Sequence, residues 1–423
     1  MSPLLRLLAL ILVALVAAGC GGDDDEAAEG SSFELRIGPV LPLTGDLASY
    51  GPSQAEAARI AVEQIQAALD AAGVSDVTVT LVPVEDDGGR AQAGVEAATK
   101  FVQADDVNVV LGTMASTVTI AMAESVTIPN QVVQITPTST APEITDLSDD
   151  GYVWRILSSD TLQGSALVDA AADAFGSEAT INVGARNDAF GTALKQLFED
   201  GWKEQGGTIG ASVTWNPEAA TFDSEAAQLA EGSPDGWLII DFPETFAKVG
   251  PALVRAGGWD PSRTFMTEAM RNSDELKKIG EQATQGLRGT APTSESAPAR
   301  NAFDTLFEAE AKEGTPLTGF EGASFDAVML AFLAALDAGS SDPAAVKDSL
   351  QGVSGPPGQK YTFEQLEQAV QDLVAGNDID YEGAWGPIDF DENGDPGSAI
   401  YEVWQFDGTE VSTLETFTFE GAG

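Results

Sequence analysis

The sequence predicts an α/β fold with two lobes, each built around a mostly parallel β-sheet that is flanked by helices. Strand and helix signals alternate from residue 33 onward, which is the pattern of α/β architecture. Residues 107–111 are continuously apolar, as expected of a strand that is covered on both faces of a parallel sheet. The alternation starts again after Trp154, and two successive series imply two lobes that are joined by several chain crossings.

The first series opens with residues 33–40, whose alternating and then apolar pattern predicts a strand. Pro52 follows at a predicted helix start, where its missing N–H costs no hydrogen bond. The apolar residues after Pro52 recur on one face of a helix. Further strands are predicted at 77–84, 107–111 and 132–135, and helices at 91–103 and 117–125.

The second series has the same alternation and runs to the C-terminus. Helices are predicted at 161–175, 191–205, 244–256, 298–312 and 323–337, and strands at 181–184, 236–241 and 264–266. Apolar residues near the end are separated by turn residues and predict a terminal hairpin between the segment of Ile388 and Phe390 and the segment of Tyr401, Val403 and Trp404.

The N-terminal residues predict export and a lipid anchor. Arg6 precedes an apolar run, residues 7–16, which is shorter than the about 20 residues that a membrane-spanning helix needs, so 1–19 is interpreted as a signal peptide. The run closes with AAGC, ending at Cys20, which resembles the lipobox where bacterial lipoproteins are cut and acylated. An ordinary secretory signal with a chance cysteine is the alternative. Residues 20–32 are rich in glycine, serine and acids, and predict an extended tether.

The composition is strongly acidic, with 67 Asp and Glu against 20 Lys and Arg and a net charge of −47. This excess argues against nucleic acid and against electrostatic docking on an anionic lipid surface. It is also consistent with a salty or alkaline habitat, in which acidic surfaces keep a protein soluble.

Several classes of enzyme are excluded by residues that the sequence lacks. The chain contains no histidine, which rules out hydrolases with a histidine base and zinc sites ligated by histidine. Cys20 is the only cysteine, so no disulfide and no thiolate metal site can form. No phosphate-binding loop or nucleophile elbow is present. We therefore expect a protein that is not an enzyme and holds no cofactor, with a carboxylate-dyad enzyme as the alternative.

One acidic segment is similar to a calcium-binding loop. Residues 389–395, DFDENGD, match the beginning of an EF-hand loop, which needs a bidentate glutamate at its twelfth position. That position is Ile400. We therefore interpret the segment as a polar turn and expect no metal site.

Six motifs occur in a characteristic order along the chain. They are IGPVLPLTG at 37–45, VVLG followed by AST at 109–117, ITPTST at 135–140, FG at 190–191, FDA at 325–327 and GPIDFDENGD at 386–395. Together they resemble the branched-chain amino-acid-binding family of periplasmic binding proteins, the type I solute-binding fold. The resemblance implies one lobe of residues 33–157 and 289–378, and a second of residues 158–288 and 379–423. In this family the lobes close about a hinge around the ligand.

The resemblance also implies a function and its partners. It implies a monomeric extracytoplasmic protein, anchored to the membrane by the lipid on Cys20, that captures a small molecule for the permease of an ABC importer. A branched-chain amino acid is the expected ligand. Amides, urea-like compounds and aromatic acids are alternatives that the resemblance also allows. A sensory protein that passes its occupancy to a signalling partner is a further alternative, since one fold serves several functions.

The expected ligand site begins at the strand ends of the first lobe. Ser116 lies where a strand ends and a helix starts, so its hydroxyl could cap that helix beside N–H groups that favour an anion. Ser139 and Thr140 follow the next strand and are expected to face the same crevice. By the resemblance, these residues hold the ligand's carboxylate. A helix cap at Ser116 and a local turn before Pro142 are the structural alternatives.

Three aromatic residues are expected to form walls of the site. Tyr50 follows the first loop, and an exposed loop tyrosine is the alternative for it. Phe190 and Phe242 follow strands of the second lobe, and burial in the core is the alternative for both. Relatives often have tyrosine at the position of Phe190, so phenylalanine there makes the pocket more apolar.

Glu268 follows the predicted strand at 264–266, and the resemblance assigns it to the ligand's ammonium group. A buried acid needs a positive partner or it protonates instead, and a bound ammonium supplies that partner. A surface acid is the alternative for Glu268. Asp241 is the second candidate for the same role.

Overall fold

The computed structural model describes residues 32–294, 297 and 299–420. The predicted signal peptide, Cys20 and all of the predicted tether except Ser32 lie outside the described residues. In the part of the chain that is described, no helix is long and apolar enough to cross a membrane.

The first lobe is built on a parallel sheet with the strand order β2-β1-β4-β5-β6, and the short β3 also pairs with β1. Its elements are β1 (Phe33–Leu41), α1 (Gly51–Ala72), β2 (Val77–Leu81), β3 (Glu85–Asp86), α2 (Ala91–Gln103), β4 (Val109–Gly112), α3 (Ser116–Met122), α4 (Ile128–Asn130), β5 (Val133–Thr136) and β6 (Val153–Arg155). One π-helical turn, Ala123–Thr127, joins α3 to α4.

The second lobe is built on a seven-stranded sheet with the order β15-β14-β11-β10-β9-β7-β8. Strands β7 to β11 are parallel, whereas β14 and β15 run antiparallel at one edge. Its elements are α5 (Asp160–Phe175), β7 (Thr180–Arg186), α6 (Ala189–Glu204), β8 (Thr208–Trp215), α7 (Asp223–Leu229), β9 (Gly236–Ile240), α8 (Pro243–Ala256), β10 (Thr264–Met266), α9 (Ser273–Ile279), α10 (Glu281–Thr284), β11 (Arg288–Pro292), β14 (Ser398–Phe406) and β15 (Val411–Glu420).

The chain returns to the first lobe between β11 and β14. This return comprises α11 (Arg300–Glu310), α12 (Glu321–Asp337), α13 (Pro343–Ser354), β12 (Gln359–Tyr361), α14 (Leu366–Val374) and β13 (Ile379–Tyr381). Helix α12 is buried along all but its last residue and packs against α1, α13 and the first sheet. Its sequence is apolar on almost every side, which is the composition of a helix at the centre of a core.

The predicted fold class is confirmed, since each lobe has a mainly parallel sheet flanked by helices. The chain crosses between the lobes three times, after β6, after β11 and before β14. The expected lobe boundaries differ from the sheet membership at two points. Strand β11 pairs with β10 and β14 in the second sheet, although its residues from 289 onward were expected in the first lobe. Strand β13 pairs with β12 of the first lobe, although 379 was expected to begin the second.

The predicted terminal hairpin was placed too early. The hairpin is formed by β14 and β15, and β15 was not predicted. Phe390 instead packs edge-on against Trp154, with ring centroids 4.9 Å apart. Edge strand β8 was also missed, because its half-exposed residues carry a weak apolar pattern.

Candidate functional site

A small cavity of about 30 Å³ lies between the two lobes. The first lobe and the crossing after β6 contribute Leu47, Tyr50, Met114, Thr138, Leu157 and Phe320 to its lining. The second lobe contributes Phe242, Glu268 and Ala269. The lining is mostly apolar and carries one ionisable acid. An apolar lining with a few polar groups, at the interface of two lobes, is the usual character of a small-molecule site.

Tyr50 is buried in this cavity and joins the two lobes. Its hydroxyl donates a hydrogen bond of 2.9 Å to the Ala269 carbonyl oxygen, and its ring packs edge-on against Phe320 at 5.8 Å. The backbone at Gly51 explains the position of Tyr50. A Cβ on Gly51 would lie 2.0 Å from the Pro42 carbonyl oxygen, so only glycine lets α1 begin this close to the loop after β1. The alternative of an exposed loop tyrosine is therefore wrong.

Glu268 lines the same cavity from the second lobe and is only 7% exposed. Gln163 Nε2 on α5 donates a hydrogen bond of 2.5 Å to Glu268 Oε2. Burial raises the pKa of the Glu268 carboxyl to about 7, although the bond from Gln163 opposes the shift. The Glu268 carboxyl therefore has a neutral hydrogen-bond donor, Gln163. Among the described residues, no lysine or arginine forms an ion pair with it. It is not the surface acid that was the alternative.

Ser116 does not cap α3 as expected. Ala115 is the N-cap, and Ser116 is the first residue of the helix. Its Oγ accepts hydrogen bonds of 3.2 Å from the backbone N–H groups of Thr140 and Ala141. A hydroxyl accepts two hydrogen bonds and donates one, so the Ser116 hydrogen is still available for another acceptor. Ser116 thus holds the loop after β5 against the start of α3.

Ser139 bonds within the first lobe, whereas Thr140 bonds both to the first lobe and to the start of α5 in the second. Ser139 Oγ donates to the carbonyl oxygens of Thr113 and Met114, at 3.0 and 3.1 Å, and shares a bond of 2.7 Å with Thr119 Oγ1. The Thr140 carbonyl accepts from Arg155 Nη1 at 3.1 Å and from the Asp160 N–H at 2.8 Å. The residue of this loop that lines the cavity is Thr138, which was not among the predicted site residues.

Phe242 lines the cavity, and Phe190 supports it from the second lobe. Their rings stack with centroids 5.4 Å apart. The Arg186 guanidinium carbon lies 3.7 Å from the centroid of the Phe242 ring, in a cation–π contact. Of the two predicted phenylalanines, Phe242 therefore contributes to the wall, whereas Phe190 is packed behind it.

Asp241 is fully buried and does not line the cavity. Its Oδ1 accepts a hydrogen bond of 2.9 Å from the Phe242 N–H and lies 3.6 Å from Arg186 Nη1. Burial raises the pKa of Asp241 to about 8, and the nearby Arg186 opposes this shift. Asp241 therefore has Arg186 as its cationic partner within the protein, whereas Glu268 lines the cavity.

The EF-hand-like segment forms a turn. Asp391 Oδ1 accepts from the N–H groups of Asn393 and Asp395, at 2.8 and 3.0 Å. Asp395 Oδ2 lies 2.5 Å from Arg155 Nη2, so this acid serves as the counterion of a buried arginine. Within the described residues, no group of three or more potential ligands could hold a metal ion.

The predicted residues thus divide into two groups. Tyr50, Phe242 and Glu268 line one cavity, whereas Ser116, Ser139, Thr140 and Phe190 lie next to it. Most of the apolar wall was not predicted, because nothing in a local pattern separates a leucine of the core from a leucine of a pocket. Two further polar residues near Glu268, Asp160 and Gln163, were also missed.

Comparison with known proteins identifies the family. The family model described as periplasmic binding protein matches residues 34–394. The chain is 25% identical over 385 residues to the chemotactic signal transduction system substrate-binding protein BasB of Halobacterium salinarum, covering 90% of this chain and 89% of that protein. It is 26% identical over 320 residues to a leucine-, isoleucine-, valine-, threonine- and alanine-binding protein of Pseudomonas aeruginosa, covering 75% and 82%.

The fold is also that of a known binding protein. The branched-chain amino acid transporter substrate-binding protein LivJ of Streptococcus pneumoniae, solved in complex with isoleucine, superposes with a TM-score of 0.72 at 17% identity. The match covers 92% of this chain and all of that one. The family and these relatives are binding proteins, and the family implies an extracytoplasmic location. The resemblance to the branched-chain amino-acid-binding proteins is confirmed, and the chain belongs to the periplasmic binding protein family.

Proposed function

We propose that this protein is an extracytoplasmic solute-binding lipoprotein that captures a branched-chain amino acid and delivers it to an ABC importer. In this proposal, acyl chains on Cys20 hold it at the membrane, and closure of the two lobes buries the ligand. The observation that carries the proposal is the cavity between the lobes, with an apolar lining and the single acid Glu268.

The charge of the cavity favours a ligand with an ammonium group. A carboxyl that is buried without a cation protonates or gains a positive partner on binding. An α-ammonium would give Glu268 that partner. The ligand's carboxylate would be held from the first lobe, where the Ser116 hydrogen can donate. Thr138 Oγ1, which lines the cavity, donates to the Met114 carbonyl oxygen at 3.4 Å and would turn from it to the ligand.

The apolar part of the lining favours an aliphatic side chain. Leu47, Met114, Leu157, Phe242 and Phe320 form most of the lining. No arginine or lysine is among the lining residues, so an acidic side chain would be buried without a cation. An aromatic acid without an ammonium group would leave Glu268 facing a second negative charge. Amides remain weaker alternatives, since their N–H groups can donate to Glu268 but carry no charge.

The proposal is tested by thermal shift on the chain without residues 1–20, followed by calorimetry of the compounds that bind. We expect leucine, isoleucine or valine to stabilise the protein by roughly 2.7 kcal/mol at about 100 times its dissociation constant. We expect 4-methylpentanoate, which is leucine without its ammonium group, to bind at least about 100-fold more weakly, since it leaves a buried charge unpaired. A shift with amides or aromatic acids and none with amino acids would contradict the proposed ligand.

A matched pair of variants tests the role of Glu268. Glu268→Gln should abolish leucine binding while the fold is kept, because glutamine has the same shape and no charge. Glu178→Gln, an exposed acid of the same lobe, is the control and should bind leucine normally. Equal affinity in the two variants would contradict the ammonium role of Glu268.

A sensory function is the second candidate, and the similarity to a substrate-binding protein of a chemotactic system favours it. Both functions use the same closure, so the partner distinguishes them. Deleting the gene should abolish uptake of the labelled ligand if the protein serves an importer. Normal uptake together with lost chemotaxis toward the ligand would favour the sensory function.

A further inference from the structure

A cluster of acceptor oxygens lies beside the cavity at the start of α5. Asp160 is the first residue of this helix, and Gln163 lies one turn later. Both are fully buried, and Gln163 reaches across to Glu268. The cluster of Asp160, Gln163 and Glu268 is therefore continuous with the cavity through the Glu268 carboxyl.

These oxygens have few donors. Among the described residues, both carboxyl oxygens of Asp160 and the amide oxygen of Gln163 are buried without a hydrogen-bond partner of ordinary geometry, although the Thr140 side chain lies beside Asp160. Buried polar atoms of folded proteins are nearly always paired. Buried acceptor atoms with so few donors, next to the cavity, therefore indicate a ligand that supplies several N–H groups.

The charges around the cluster do not balance. Arg155 is the cation that acts on Asp160, but it is engaged by Asp395 at 2.5 Å and by the carbonyls of Thr140 and Ala141. Glu143, near α5, adds another negative charge. Two ionised carboxylates at Asp160 and Glu268 would thus lie together in a buried site, while Arg155, the cation that acts on Asp160, is already paired with Asp395.

Two tyrosines also face these acids. The Tyr401 hydroxyl lies near Asp160 and Glu268, and Tyr50 lies near Glu268, Glu244 and Glu275. Burial raises the pKa of both phenols above the ordinary value, so each is a neutral group at physiological pH. Neither tyrosine can supply the missing positive charge.

We propose that Asp160 and Glu268 together form the site for the ligand's ammonium group, and that the pair carries a proton which is released to solvent when the ammonium binds. This inference rests on the proposed function. In the ligand-free protein one carboxyl of the pair is a neutral acid. On binding, its O–H bond breaks, the proton leaves for water, and the two carboxylates face one positive charge. Asp160 is then a second ligand-binding residue beside Glu268.

The pKa values of the two acids agree with this geometry. Burial and the neighbouring Glu268 raise the pKa of Asp160 well above its ordinary value. Burial raises that of Glu268 to about 7. Below about pH 7 an ammonium ligand must therefore displace a proton, whereas well above the pKa values of both acids no proton remains to be displaced.

The test is calorimetric titration of L-leucine into the unaltered protein at pH 6.5, in two buffers of different ionisation enthalpy. We expect release of close to one proton, and an affinity that rises with pH by up to about tenfold per unit and levels off only above the pKa values of the two acids. Leucine binding without proton release would overturn the inference and leave the proposed function intact. No leucine binding at any pH would contradict the proposed function, and the inference with it.

Variants of α5 separate a ligand-binding role from a structural one. In Asp160→Asn, we expect the affinity for leucine to fall at least tenfold and the number of released protons to decrease, while the ligand-free protein melts at the same or a higher temperature at pH 8. Asp173→Asn, an exposed acid of the same helix, is the control and should match the unaltered protein. Unchanged proton release in Asp160→Asn would overturn the inference, even if its affinity fell.

Discussion

Arg186 of the second lobe and Asp46 of the first form an ion pair across the lobe interface, with 3.0 Å between Nη2 and Oδ2. Thr245 Oγ1 of the second lobe donates to the same carboxylate at 3.2 Å. The Arg186 guanidinium also covers the Phe242 ring, which lines the cavity. The same side chain therefore contacts both the opposite lobe and the wall of the cavity. A hydrogen bond also links the two lobes, since the Ala189 N–H of the second lobe donates to Thr117 Oγ1 of the first at 2.9 Å.

Removing the charge of Asp46 should weaken the closed form. We expect Asp46→Asn to raise the dissociation constant for leucine about fivefold, near 1 kcal/mol, because Asp46 is partly exposed and the pair is screened by solvent. The effect should shrink at high salt. Asp223→Asn is the control, since it removes an exposed ion pair with Arg255 within one lobe. Calorimetry at two salt concentrations measures both variants, and equal dissociation constants would contradict the prediction.

Removing the hydroxyl of Tyr50 should weaken closure of the lobes and leave the stability of the fold nearly unchanged. In Tyr50→Phe, the hydrogen bond to Ala269 across the lobes is lost, while the ring still packs on Phe320. We expect about a fivefold loss of leucine affinity, near 1 kcal/mol, because the Ala269 carbonyl would be buried without a donor only in the closed form. Tyr361→Phe loses a hydroxyl bond to Asp372 within the first lobe and serves as the control. A similar affinity loss in both variants would argue against a role in closure.

Folding stability should fall as the pH rises from 5 to 8. Asp326 shows the reason, because burial raises its pKa to about 7 despite bonds from Tyr381, Ala384 and Trp385. A carboxyl whose pKa is higher in the folded than in the unfolded chain stabilises the fold fully below about pH 4. This contribution is lost as the pH rises toward 7, by about 1.4 kcal/mol per pH unit for each such group.

The variant Asp326→Asn checks this prediction. Its melting temperature should fall less between pH 5 and 8 than that of the unaltered protein, because one titrating group is gone. Glu244, with a pKa near 7, and Asp241 still titrate in the variant, so part of the pH dependence remains. An identical pH profile for variant and unaltered protein would show that Asp326 does not titrate in this range.

Salt should stabilise the protein. With a net charge of −47, repulsion between surface acids opposes the compact state, and mobile ions screen that repulsion. We expect a higher melting temperature in 2 M than in 0.1 M potassium chloride, measured without ligand at pH 7. Equal melting temperatures would contradict an adaptation of the acidic surface to salt.

Local sequence patterns predicted most of the secondary structure. The strand at β1 and the helix at α2 were predicted to within a residue, because burial imposes a period of two or of 3.6 on these segments. The same patterns do not say which strands pair. Strand β11 was therefore expected in the wrong lobe, and β15, whose residues are largely exposed, was not predicted.

Part of the lining of the cavity could be predicted from residues near the family motifs. Tyr50, Phe242 and Glu268 were found from the resemblance and line the cavity. Ser116 and Ser139 are not among the residues that line the cavity, and their hydroxyls bond to the backbone of the first lobe. A hydroxyl's direction depends on its side-chain rotamer and on the acceptors around it, which a sequence does not specify.

By itself, the sequence determined the α/β class, the two series of elements, the acidic charge and the absence of histidine chemistry. The tertiary structure decided which of the many acids are buried and what they face. Asp160 lies beside Glu268, and Asp46 beside Arg186, although more than 100 residues separate the members of each pair. The physical reason is that a charge takes its properties from solvent exposure and from neighbours in space, and only the folded chain brings those neighbours together.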